Sequence, residues 1–84
     1  MLPRFRWIEW NLDKIASHGL RSEEVEHAFT HRFGPHQERD DGSFETVGET
    51  PSGRVILIVW RYDEVFDPLE EAGTAEVVFV ITAY

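Results

Sequence analysis

An 84-residue chain is enough for one domain, close to the lower limit for a core that stands unaided. Its 42% hydrophobic and 13% aromatic content places it among folded globules, and the lack of cysteine excludes a disulfide framework, a thiolate metal site and a cysteine nucleophile. Acidic residues outnumber basic ones 16 to 8, and the net charge of −8 sets the overall field against nucleic acid, whose binding normally draws on a basic excess.

Arg4 to Trp10 alternates, with Phe5, Trp7 and Glu9 on one side and Arg6, Ile8 and Trp10 on the other, which predicts a first strand. Asn11 is then a suitable helix cap, with Asp13 in the first turn, where the helix dipole favours negative charge. Leu12, Ile15 and Ala16 follow at i, i+3, i+4, the spacing of an apolar stripe, and His18-Gly19 ends the helix. A second helix is predicted from Ser22 as cap, with Glu23 and Glu24 in its first turn and Val25, Ala28 and Phe29 as its buried stripe.

The rest reads as sheet. Thr30 to Pro35 is a loop, His36 to Asp40 a short polar edge strand, and Asp41-Gly42 a hairpin signal. Ser43 to Thr50 alternates, with Phe44, Thr46 and Gly48 on one face and Glu45, Val47 and Glu49 on the other. Pro51-Ser52-Gly53 is a tight turn. Arg54 to Tyr62 holds the continuous apolar run Val55 to Trp60, which predicts a central strand covered on both faces. That run is far too short to span a bilayer. Asp63 to Thr74 reads as an acidic loop, with a helical turn over Leu69 to Ala72, and Ala75 to Ala83 as the last strand. The expected fold is α+β, a single small domain of order β-α-α-β-β-β-β, with an antiparallel sheet and two N-terminal helices packed on one face. The residues from Leu2 to Arg6 lead into alternation rather than an apolar signal-peptide core, so a cytoplasmic protein is expected.

Several groups carry possible chemistry. His27 and His31, four apart on one helix face with Glu24 a turn earlier, have a spacing that can hold a metal, but no third ligand is fixed by spacing. They read instead as surface residues at a helix end. His18, at the helix turn, suits a bond from its ring to a terminal carbonyl. The carboxylates Asp63, Glu64, Asp67, Glu70 and Glu71 lack the spacing and central glycine of an EF-hand, and read as a solvated loop.

The stretch Trp7-x-x-Trp10-Asn11, then Ile15-Ala16-x-His18-Gly19, then Glu24-Val25-Glu26 resembles the opening of the BrnT-like family. That family contains small ribonuclease toxins of bacterial toxin–antitoxin pairs, with a RelE-like fold. The resemblance implies a single BrnT-like domain over residues 1–84, an RNA substrate, a small DNA-binding antitoxin partner, and cleavage without metal or cofactor. Family members usually continue past the position of Tyr84 with a short basic segment, so the resemblance implies a domain that is either truncated or divergent there.

Metal-free cleavage needs a base near the 2′-oxygen, an acid for the leaving oxygen, and cations around the phosphate. RelE-like enzymes draw these from arginine, lysine, tyrosine and histidine on one sheet face. Here the available set is His36, Arg39, Arg54, Arg61, Tyr62 and Tyr84. His36 and Arg39, three apart, point to opposite faces of a regular strand. The resemblance implies Arg54 and Arg61 as phosphate ligands, and His36 or Tyr84 as proton carriers. Two departures stand against this: Glu49 follows Gly48 where toxin-like members commonly have arginine, and Thr82-Ala83-Tyr84 replaces a Ser/Thr-Ala-Arg ending. The alternative expectation is a catalytically inactive BrnT-like domain serving as a protein-interaction module.

Overall fold

The computed structural model describes residues 3–66 and 74–84. Strand β1 is Phe5–Arg6, helix α1 Glu9–Ala16, helix α2 Ser22–Thr30, and strands β2 to β5 are Gln37–Glu38, Phe44–Glu49, Val55–Phe66 and Thr74–Ala83. The strands form one five-stranded sheet in the order β1-β5-β4-β3-β2. The expected α+β arrangement with both helices on one face is present. The sheet is mixed, however, not wholly antiparallel, because β1 pairs in parallel with β5, Phe5 opposite Val78 and Arg6 opposite Phe79. The two helices intervene between β1 and the hairpin series, so the first strand reaches the far edge of the sheet in the direction of the last.

The expected first strand shortens to two residues because the helix begins earlier than the alternation implies. Asn11 is the reason. It sits inside α1, not at its cap, and its Oδ1 accepts the Ile8 amide at 2.7 Å, closing the first turn. Its Nδ2 donates to the carbonyls of Arg6 at 3.0 Å and Val80 at 3.1 Å. One side chain thus ties the end of β1, the start of α1 and the middle of β5 together, and it is 0% exposed. The predicted stripe of α1 is corrected accordingly: Ile15 is buried, but its buried neighbour one turn back is Asn11, while Leu12 and Ala16 are exposed.

Helix α2 follows its sequence pattern, with Val25, Ala28 and Phe29 buried. Its cap position is Arg21 rather than Ser22, and the Glu24 carboxylate accepts the Arg21 amide at 3.0 Å. Between the helices Gly19 holds φ +74, the left-handed conformation its place at the helix end predicts. Gly19→Ala is expected to cost about 1 kcal/mol. A chemical denaturation midpoint unchanged from wild type would contradict that geometry.

Inside the sheet Phe44, Thr46 and Gly48 of β3 and Ile56, Ile58 and Trp60 of β4 face the helices, with Ile15, Leu20, Val25, Ala28, Phe29, Val78, Val80 and Ala83 completing the core. Trp60, 1% exposed, is its largest member; Phe29, Phe44 and Tyr62 pack round it with ring centroids 4.8–5.0 Å away. Strand β4 is central, as predicted, but it is longer than expected and takes in Asp63 to Phe66. Cover on the second face is partial: among the described residues both helices lie on the first, and on the second Val59 is buried, Leu57 half-buried and Val55 58% exposed. The helical turn expected over Leu69 to Ala72 lies outside the described residues. No helix among the described residues is long and apolar enough to cross a membrane.

Candidate functional site

The residues singled out by sequence fall at three places. Arg54 and Tyr84 come together beside the turn between α1 and α2. Arg54 follows the Pro51–Gly53 turn, and its Nη2 donates to the His18 carbonyl at 2.9 Å, one of the acceptors left open at the end of α1. Tyr84 continues the line of β5: its amide donates to the Leu57 carbonyl at 3.0 Å and its carbonyl accepts the Leu57 amide at 2.8 Å. That places its ring 5.5 Å from the His18 ring, at 44°. His18 is therefore the residue the sequence argument set aside. Its backbone carbonyl takes the terminal bond, while its ring lies against Tyr84. A guanidinium, an imidazole and a phenol share one exposed corner, and only the His-Gly turn signal pointed towards it.

Arg61 is elsewhere. It lies on the same strand as Val55, and at about 3.3 Å per strand residue it stands roughly 20 Å from Arg54, so the two do not grip one phosphate. Arg61 lies over the Phe79 ring, 4.6 Å from its centroid, with Arg6 over the same ring at 5.8 Å and Trp10 stacked on it at 6.1 Å. Asp63 accepts from Arg6 and, at 3.5 Å, from Arg61. The Arg6 hydrogen bond, above all, holds the Asp63 carboxyl below its ordinary range. These cations are engaged in closing the outer side of Phe79, which they leave buried.

His36 is a third case. It lies 5.0 Å from both the Phe29 and Trp60 rings, with Nδ1 2.6 Å from the Thr46 hydroxyl. Thr46, itself buried, accepts the Trp60 indole N–H at 2.8 Å. The hydroxyl then has its proton free to give to His36 Nδ1, an arrangement that suits the neutral Nε2–H tautomer. Burial first, and the Arg32 charge second, lower the His36 pKa. The unfolded chain therefore takes up this proton more readily than the folded one. Stability contributed here is complete above the ordinary histidine value of about 6.5 and is lost as pH falls through the lowered folded value. In urea titrations across that range, His36→Gln is expected to flatten the acid limb; an identical slope in both proteins would contradict it.

His27 and His31 stack with ring centroids 3.9 Å apart and planes within 6°. Their Nδ1 atoms lie at hydrogen-bond distance from the carbonyls of Glu49 and His27, so both rings brace the end of α2. Among the described residues no three His, Asp or Glu side chains gather in a way that would hold a metal.

The helix-free face of the sheet is the other feature of note. Its rows follow from the register: Glu45 beside Val59 and Thr82, then Val47 beside Leu57 and Tyr84, then Glu49 beside Val55. Val47 is 40% exposed and Tyr84 53%, and Leu57 is half-buried. An apolar strip runs from Val47 across Leu57 to Tyr84 at the sheet edge, where the ring turns to His18, with Glu45 and Glu49 on either side of it on β3 and no arginine or lysine in these rows. No family model, curated protein or solved structure matches the chain.

Proposed function

We propose that this chain is a BrnT-like domain serving as a protein-interaction module. The observation that carries the reading is the open, acid-flanked apolar strip on the helix-free face of the sheet. Exposed apolar surface of this kind, rimmed by charge, is what association sites offer, and an isolated globule gains nothing from it. The disposition of the cations supports the same reading: Arg61 pairs with Asp63 about 20 Å from Arg54, and His36 is held behind Thr46.

The second reading is a toxin-like ribonuclease, neutralised by a small antitoxin protein. One observation favours it, the meeting of His18, Arg54 and Tyr84, since an imidazole, a phenol and a guanidinium are the groups metal-free phosphodiester cleavage uses. Purified protein incubated with RNA in EDTA is expected to leave it intact. Cleavage by the wild type that is lost in Arg54→Ala, with the variant's melting unchanged, would overturn the first reading in favour of the second.

A further inference from the structure

We infer that the partner of the helix-free face is a basic amphipathic helix, its apolar side laid on Val47, Val55, Leu57 and Tyr84 and its lysines or arginines reaching Glu45 and Glu49. This rests on the interaction-module reading and names the chemistry of that same surface. Charge is the first argument. Glu45, Val47 and Glu49 alternate with their strand neighbours onto the open face, so the strip has a carboxylate on each side along β3. An acidic or neutral partner would desolvate those carboxylates without return, whereas a basic one pairs them at the rim. The aliphatic stems of lysine and arginine would also cover the apolar margin.

A second copy of the chain fits poorly. A two-fold contact would set like rows of carboxylates against each other between molecules that each carry −8. Spacing is the second argument. Glu45 and Glu49 are four strand residues apart, about 13 Å, which matches the roughly 10–12 Å width of a helix laid along the strip, across the strands, with one carboxylate on each flank. The partner pattern is thus an apolar stripe at helical spacing with basic residues on both of its margins.

The probe is a synthetic 18-residue amphipathic peptide with leucines on one face and lysines along both margins of that face, beside a copy with glutamates for the lysines. Titrated into the 15N-labelled 84-residue protein, the lysine peptide is expected to shift the amides of Glu45, Val47, Glu49, Val55, Leu57 and Tyr84. Glu45→Lys/Glu49→Lys is expected to weaken it by about tenfold or more and to admit the glutamate peptide, and raising salt tenfold is expected to weaken the wild-type complex several-fold. Val55→Asp, at a position already exposed, is expected to weaken the lysine peptide by removing an apolar anchor, even though it adds a carboxylate. Preference of the wild-type face for the glutamate peptide would overturn the inference while leaving the interaction reading in place. Neither peptide shifting the face would overturn both. Concentration-dependent broadening of the same amides, abolished by Val55→Asp, would assign the face to a second copy and overturn the basic partner.

Discussion

Gly48→Ala is expected to unfold a large share of the protein at temperatures where the wild type is stable. A Cβ at Gly48 would stand 1.9 Å from the Ala28 carbonyl oxygen and 2.7 Å from its carbon. These are backbone atoms in the last turn of α2, so no rotamer change relieves the contact, and the helix must lift from β3. Overpacking in a tight core costs about 1–3 kcal/mol where side chains can adjust. Here they are not the obstacle, and about 3 kcal/mol or more is expected. For a domain of this size that lowers the melting temperature by about 12 °C or more. Ala28→Gly removes only the helix side chain and is expected not to rescue the double variant. A Gly48→Ala protein melting with the wild type in calorimetry would mean that α2 does not sit on β3 at this point.

Asn11→Asp is expected to be nearly as damaging at neutral pH, and to differ in how it responds to acid. The asparagine gives two N–H donors to the carbonyls of Arg6 and Val80 and accepts the Ile8 amide. An ionised aspartate keeps the acceptor, loses both donors, and sets a charge against two carbonyl oxygens at a site without solvent. The expected cost is about 3 kcal/mol or more. Burial and those oxygens raise the folded carboxyl pKa above its unfolded value. The variant therefore recovers stability as pH falls through the raised value, when the carboxyl regains a proton to donate. Asn11→Leu, which removes all three of these bonds, is expected to lose as much with no such recovery. Denaturation midpoints of both variants between about pH 7 and 4 distinguish them, and parallel curves would contradict the assigned bonding.

The contrast between Asn11 and α2 shows where the sequence was readable. Val25, Ala28 and Phe29 announce a buried helix face because apolar spacing and burial are the same physical fact there. Trp60 and the alternation around Thr46 place the core for the same reason. Asn11 looks like a cap from sequence because asparagine favours helix ends. Its actual place three positions inside depends on a carbonyl 69 residues away, which no local pattern carries. The site was legible in types but not in places. Arg54 and Arg61 are plausible phosphate ligands one at a time, yet the length of β4 separates them. His18 and Tyr84 meet only because the chain's last pairing with Leu57 sets the phenol beside the first helix turn. The open face was misread because a continuous apolar run in β4 resembles a strand covered on both sides; its outer members Val55 and Leu57 are instead left towards solvent.

The parallel pairing of β1 with β5 has a consequence for how the molecule is made. Phe5 and Arg6 leave the ribosome long before their strand partners, Val78 and Phe79. A contact closing so long a stretch comes late, since its loop entropy must be offset by structure formed in between. During synthesis the helices and the β3–β4 hairpin are complete while β1 and the Asn11 amide still await β5. The sheet, and the bond to Val80 that completes the Asn11 junction, close only once β5 has emerged.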